Sequence, residues 1–300
     1  MSSESDGGQS VSKKKRGVEA EAVVALFALA GLVTAAYGSQ DFFPELASRH
    51  GEGIDAMLNF VLACAGGMFL VGHLVLAWFI WKGAGRSHIE HRMATHTTER
   101  RISLALAVMM TLIAEGGVLM IGMPVWAEYY GSDGNAQAVA VRVTAQQFAW
   151  NVHYPGEDGK WGRVDLQFLD EAENPLGLDP DDPASADDLV LVNNIYLPVE
   201  RMARVKLFSR DVIHSFFLPN MRVKQDAVPG MSPEVRFFPT RTGDFELACT
   251  ELCGMGHYRM QGMVHVLGAE EFEKWLAEEE PFFGAAAVIG KADVQKKGNA

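Results

Sequence analysis

The segment Cys249-Thr250-Glu251-Leu252-Cys253-Gly254-Met255-Gly256-His257-Tyr258-Arg259-Met260 places two thiols, an imidazole and a thioether on one short stretch. A second imidazole stands upstream in Asp211-Val212-Ile213-His214-Ser215. These are soft or borderline donors, which suit copper. A mononuclear blue-copper centre uses one cysteine, two histidines and a weak axial methionine. Here a second cysteine lies four residues from the first, so two thiolates can bridge two metal ions with one imidazole on each. Met260 then serves as a weak axial ligand, and the backbone carbonyl of Glu251, between the cysteines, is placed to serve as the other. Bridging thiolates spread one unpaired electron over both metals, so little rearranges when an electron arrives or leaves. Two competing readings exist: a Cys249–Cys253 disulfide and a zinc site. Neither accounts for Met260, and a disulfide accounts for neither histidine.

Working outward, the sequence around this segment reads as short strands. Ala138 to Thr144, Leu189 to Val192, Ala203 to Phe208, Glu234 to Phe238, Asp244 to Ala248 and Met263 to Leu267 are β-like, several of them alternating apolar and polar residues as in Val139-Ala140-Val141-Arg142-Val143. Turn clusters separate them at Pro155-Gly156-Glu157-Asp158-Gly159, Pro229-Gly230 and Thr242-Gly243. Many short strands with such spacing predict a β-sandwich or barrel, closed by an acidic helix over Ala269 to Glu280. Asp170 to Asp188 carries eight carboxylates and Pro175, Pro180 and Pro183. It reads as a solvated surface loop, with a docking surface for a cationic donor as the sharper alternative.

Upstream of these strands the pattern is different. Three apolar runs occupy Ala22 to Gly38, Met57 to Trp81 and Ile102 to Trp126. The last two are long enough to cross the hydrocarbon, which takes about 20 helical residues. The first has the basic flank Lys13-Lys14-Lys15-Arg16 and a small-residue Ala36-Tyr37-Gly38 end; it fits a cleaved signal peptide or an additional helix equally well. Lys82, Arg86, Arg92, Arg100 and Arg101 lie between the second and third runs. By the positive-inside rule that segment is cytoplasmic, and everything after Trp126 is outside. Expected organisation is therefore residues 1–38 as a basic N-terminus with signal peptide or extra helix, 39–126 as a transmembrane helical hairpin, 127–280 as an external metal domain and 281–300 as a tail.

Glu115 lies near the middle of the third run, where an ionisable residue is a functional hypothesis by default; it is expected to face the neighbouring helix or a partner subunit. His73 receives no role, Cys64 reads as an inert apolar residue, and His88, His91 and His96 read as solvated. The formal net charge of −12 argues against a nucleic-acid partner, since phosphates need a basic face. With three cysteines, Cys64, Cys249 and Cys253, no disulfide framework is expected. No Cys-x-x-Cys-His occurs, so no haem is attached covalently.

The pattern Cys249-x-Glu251-x-Cys253-Gly254-x-x-His257-x-x-Met260, with Asp211-Val212-x-His214-Ser215 upstream, resembles the binuclear copper-A site of cytochrome c oxidase subunit 2. Gln40-Asp41, Leu197-Pro198 and Lys224-Gln225-Asp226-Ala227-Val228-Pro229-Gly230 resemble further family motifs in the same order. The resemblance runs from about Tyr37 to Leu267, with the acidic stretch as an insertion. It implies a cupredoxin-like Greek-key barrel or sandwich in a bacterial-type plasma membrane, with the copper domain on the periplasmic side. It also implies six copper ligands: His214, Cys249, Cys253, His257, Met260 and the carbonyl of Glu251. The Glu251 side chain would face a Mg²⁺ site shared with subunit 1, a hard oxygen ligand for a hard cation. Asp211 matches a carboxylate near the docking surface for cytochrome c. Gln147-Phe148-Ala149-Trp150 resembles the aromatic patch where electrons arrive, although the family usually has tryptophan where Phe148 stands. Ordinary domain core is the alternative for both rings. Glu99 resembles, on a soft alignment, the glutamate at the mouth of a proton path, with a solvated loop residue as the alternative; Glu115, which has no family counterpart, is the second candidate for such a path.

The implied role is acceptance of electrons from a c-type cytochrome and their transfer to haem in subunit 1, where oxygen is reduced. Alternatives are a copper-A subunit of a nitric oxide reductase and a stand-alone membrane-tethered electron carrier. A quinol-oxidase subunit would lack the ligands that are present here.

Overall fold

A computed structural model describes residues 7–40, 42–84, 95–130 and 137–284. His88, His91, Asp41 and the stretch 285–300 lie outside the described residues. The chain divides into two compact units. One is helical. The other is β-rich and takes in Pro44–Ile54, which runs into the first turn of the second helix, together with the chain from Pro124 onward.

The helical unit is built from α1 (Gly7–Gly38), α2 (Gly51–Gly83) and α3 (His96–Tyr130). Each contains a window apolar and long enough to cross a membrane, at Ala20–Gly38, Gly51–Gly83 and His96–Ala127. Such segments are helical because a backbone in lipid must satisfy its own hydrogen bonds. Glycines set the contacts between neighbours. A Cβ at Gly31 of α1 would touch Leu70 of α2 at 3.4 Å, and one at Gly117 of α3 would lie 2.1 Å from the Phe60 ring of α2. His73 packs edge-on against Phe27 of α1, while its Nδ1 bonds the Phe69 carbonyl.

The β unit is a two-sheet sandwich. Strands are β1 (Val139–Gln146), β2 (Ala149–Tyr154), β3 (Leu189–Val192), β4 (Asn194–Pro198), β5 (Ala203–Ser209), β6 (His214–Leu218), β7 (Val223–Ala227), β8 (Glu234–Phe237), β9 (Gly243–Cys249) and β10 (Gln261–Leu267), followed by helix α4 (Ala269–Glu278). One sheet runs β3-β2-β1-β5-β8 and the other β4-β10-β9-β6-β7. β1–β5 and β10–β4 are parallel pairs, and the other ladders are antiparallel. The alternation read in β1 is the burial pattern observed: Val139, Val141, Val143 and Ala145 point inward. They meet Val205, Leu207, Phe216, Leu247 and Val264 in one core.

The acidic stretch is more built than a solvated loop. Leu176 and Leu178 are buried, as are Asp179, Ser185 and Asp188. Asp188 accepts from His153 Nε2 at 2.7 Å and from the Gly162 amide at 2.8 Å. Asp179 pairs with Arg163, and Asp182 accepts from the Arg163 and Ala184 amides. A carboxylate that replaces lost hydration with amide donors can turn inward, so charge content alone misplaces this segment. Gly177 has φ +68°, and a Cβ there would lie 2.5 Å from the Asp165 carbonyl. Gly177→Ala should therefore cost about 1–3 kcal/mol, read from the denaturant midpoint of the purified chain.

Pro44–Ile54 is stitched to the β unit. Ala47 N donates to Asn220 O, Thr240 N to Ala47 O and Arg49 N to Phe238 O. Ser48 Oγ donates to Met221 O at 2.7 Å. His50 follows, 4% exposed, with its ring 5.3 Å from Tyr129. Burial lowers its pKa to about 4, against a hydrogen bond to the Arg222 backbone that raises it. An unfolded histidine titrates near 6.5. Stability from neutral His50 is thus fully present above about 6.5 and is lost as pH falls toward 4. The advantage of wild type over His50→Gln should shrink by up to about 3 kcal/mol across that window, measured by urea unfolding at pH 7.5 and pH 4.

Candidate metal centre

β6 and β9 pair with Phe216 opposite Cys249. This puts His214, the first residue of β6, beside Cys249, the last of β9. The loop after Cys249 is closed at both ends by backbone bonds: Cys249 N donates to Met260 O and Thr250 N to Ser215 O, each at 3.1 Å. Cys253, His257 and Met260 are thereby returned to the same end of the sandwich. Cys249 Sγ lies 3.9 Å from Cys253 Sγ, 4.0 Å from His214 Nδ1 and 3.2 Å from the Glu251 carbonyl. Cys253 Sγ lies 3.5 Å from His257 Nδ1 and 3.9 Å from Met260 Sδ. The ligand atoms of His214, Cys249 and Cys253 all fall within 4.8 Å of one another.

These distances discriminate between the readings. A disulfide needs sulfurs about 2.05 Å apart, so the two thiols are separate. Their separation is less than twice a metal–thiolate bond of about 2.3 Å, short enough for one ion to touch both. His214, Cys253 and Met260 are at most 3% exposed and Cys249 is 8% exposed. Burial pushes the Cys249 thiol up, but His214 and the neighbouring backbone outweigh it and bring it down to about 6. Burial and the charge of Cys249 hold Cys253 up near 11. Two buried thiolates at this distance repel each other, and cations between them reverse that penalty. Two thiolates, two imidazoles, a thioether and a carbonyl fit a pair of copper ions by donor type.

Asp211 organises the site from behind. Its Oδ1 accepts from His214 Nε2 at 2.8 Å and from the Val212 amide at 2.7 Å, and its Oδ2 accepts from the Gln147 amide at 2.6 Å. Burial raises the Asp211 pKa, but these three bonds outweigh it and leave it lowered. Burial likewise opposes protonation of His214, which Cys249 and Asp211 outweigh. With Nε2–H committed to Asp211, Nδ1 presents its lone pair toward the sulfurs. Both Asp211 oxygens are thus engaged by donors of the site, while the residue itself stays exposed.

Gln147 received no role in the sequence, yet its side chain donates to the Cys253 carbonyl at 2.6 Å. The next residue, Phe148, lies over the loop: a Cβ at Gly254 would sit 3.2 Å from its ring and one at Gly256 2.4 Å. Gly254 and Gly256 leave the space that lets the ring close on the Cys249–Met260 loop. Phe148 remains 37% exposed, while Trp150 is fully buried, with its ring 6.2 Å from that of His214. Of the two aromatic candidates, only Phe148 reaches the surface. Glu99 and Glu115 are not brought together. They are separated by sixteen helical positions, about 24 Å along α3 and on opposite sides of it.

Residues 139–267 match the family described as cytochrome C oxidase subunit II, periplasmic domain. The alternative cytochrome c oxidase subunit 2 of Bradyrhizobium diazoefficiens is 34% identical over 233 residues, covering 77% of this chain and 82% of that protein. The chain belongs to the cytochrome c oxidase subunit II family. Cytochrome c oxidase subunit 2 of Synechocystis sp. is 25% identical over 265 residues, covering 82% and 78%. The crystal structure of the periplasmic domain of subunit II of cytochrome oxidase from Bradyrhizobium japonicum is 32% identical, covering 46% of this chain and 91% of that one, with a TM-score of 0.34. Subunit II is a copper-binding, membrane-anchored component of an oxidoreductase complex, and the His/Cys/Cys cluster and apolar helices of this chain accord with that.

Because Asp211 fixes the tautomer and orientation of His214, Asp211→Ala should weaken copper binding by about 10- to 100-fold, measured by competition with a copper chelator at constant pH.

Proposed function

We propose that this chain is the electron-accepting subunit of a terminal haem–copper oxidase. Its copper-A pair is held by His214, Cys249, Cys253, His257, Met260 and the Glu251 carbonyl. It takes electrons from a c-type cytochrome and passes them to haem in a separate catalytic subunit, where oxygen is reduced. The observation that carries this reading is the pair of buried thiols 3.9 Å apart, flanked by an imidazole on each side. A copper pair held by these residues would supply one-electron transfer with little rearrangement.

The chain's own residues set the conditions for that chemistry. β6, β9 and the loop closure hold the ligands in place before metal binds, so the site changes little between redox states. Burial of four ligand side chains excludes water from the metals. Over the loop the surface is apolar: Leu252 is 80% exposed, Met255 94% and Tyr258 74%, with Phe148 beside them. This surface suits close contact with the apolar rim of an exposed haem edge, the acidic exterior serving mainly to speed encounter with a basic donor. The Glu251 carboxylate is exposed and available to a Mg²⁺ ion shared with the catalytic subunit. The basic residues between the second and third apolar runs support a cytoplasmic loop there and an external copper domain.

Purified, air-oxidised protein should carry two coppers per chain and give a purple mixed-valence spectrum with a seven-line hyperfine pattern in electron paramagnetic resonance. Cys249→Ser and Cys253→Ser should each abolish that pattern. One copper per chain, or zinc, defeats the binuclear assignment.

A further inference from the structure

Gln147 and Phe148 form the two-residue turn between β1 and β2, bounded by the Gln146–Ala149 pair. Such turns go most often to glycine, asparagine or aspartate. Here both residues carry long side chains, and both are turned to the Cys249–Met260 loop. Phe148 lies against Gly254 and Gly256. Gln147 Nε2 donates to the Cys253 carbonyl at 2.6 Å. Its backbone amide donates to Asp211 Oδ2, also at 2.6 Å, and Asp211 Oδ1 accepts from His214 Nε2. One residue thus reaches both halves of the ligand set: the strand half through Asp211, and the loop half through Cys253.

The two halves are not equally secured. His214 and Cys249 stand in the strand ladders of β6 with β7 and β9. On the loop, Cys249 and Thr250 are tied back to Met260 and Ser215, while His257, Arg259 and Met260 are bonded within their own turn. Between these, among the described residues, Glu251, Leu252 and Cys253 make no backbone–backbone hydrogen bond. The Glu251 carbonyl accepts only from the neighbouring Cys249 thiol. The bond from Gln147 is what ties the main chain of Cys253 to another element of the sandwich. A Cβ at Gly254 would lie 2.8 Å from Gln147 Nε2, so a glycine there admits the amide to the carbonyl. Gln147 is itself exposed, and water competes for its amide; the hold of Asp211 on its backbone keeps the side chain aimed at the loop.

We propose that Gln147 is a positioning residue for the metal centre. It fixes the Cys253 thiol relative to Cys249 and His214, and with it how evenly both sulfurs are shared. Gln147 offers no donor atom to a metal, so its removal changes ligand position and leaves ligand chemistry as it is. The hold on Cys253 needs no metal; its consequence for electron sharing rests on the copper pair proposed above.

The test uses the full chain in mild detergent and the variant Gln147→Met, which keeps the length of the side chain and loses its donor. In the metal-free, reduced protein, alkylation of Cys253 by iodoacetamide should rise about 2- to 10-fold, the range for one hydrogen bond. Cys249, held by its strand, should react at its wild-type rate. After copper loading, Gln147→Met should still hold two coppers per chain. Its hyperfine pattern should depart from seven even lines, and a chelator should remove copper about 2- to 10-fold faster. Wild-type Cys253 alkylation or a wild-type hyperfine pattern in Gln147→Met overturns the positioning role. So does an equal rise at Cys249 and Cys253, which marks a general loss of stability. If the unaltered chain binds one copper or zinc, the binuclear reading fails, and Cys253 alkylation still decides whether Gln147 holds the loop. If the unaltered chain gives seven lines and Gln147→Met matches it throughout, the binuclear reading stands and the positioning role fails.

Discussion

The pairing of β6 with β9 is the constraint on which the copper site depends. It sets Phe216 opposite Cys249 and so brings together an imidazole and a thiol 35 residues apart in the chain. The two backbone bonds that close the loop, Thr250 to Ser215 and Cys249 to Met260, extend that register to the remaining ligands. A side-chain period of two means that a one-residue slip would turn His214 or Cys249 to the opposite face. The inward alternation of β1 and its neighbours, buried across both sheets, is what forbids the slip. Core packing and metal geometry are therefore one problem: the apolar pattern fixes register, and register fixes the ligand set.

Around that frame, polar groups do the positioning. Asp211 binds three donors, one of them the His214 imidazole. Gln147 clasps the carbonyl of Cys253, and its neighbour Phe148 covers the loop through the space two glycines leave. The segment Asp211 to Ser215 thus acts on the loop from one side and Gln147–Phe148 from the other. Similar logic explains the acidic insertion, whose carboxylates cap amides and pair with His153 and Arg163. The strap Pro44–Ile54 belongs here too. Its bonds to Asn220, Met221, Phe238 and Thr240 make the first residues after α1 and Phe43 part of the β unit.

Much was legible in the sequence because its signals are local. The four-residue cysteine spacing and the His and Met that follow specify a donor set, and donor chemistry selects copper over zinc without coordinates. Alternation in Val139 to Val143 and long apolar runs in the first part of the chain reflect the two solvents each segment meets. The acidic stretch was less legible: eight carboxylates look solvated unless one knows which amides they accept from. The part Asp211 plays in holding the site was not legible for the same reason, since its sequence neighbours do not reveal that Gln147, 64 positions away, donates to it.

The sequence by itself determined the ligand types, the strand-rich domain and the membrane-length helices, since composition and short-range periodicity suffice for each. Only the tertiary structure decided that the two thiols are 3.9 Å apart and unbonded, that Asp211 holds His214 and the Gln147 amide, and that Phe148 and not Trp150 reaches the surface. Each of these depends on which distant residues share a ladder or a hydrogen bond, and chain proximity carries no information about that.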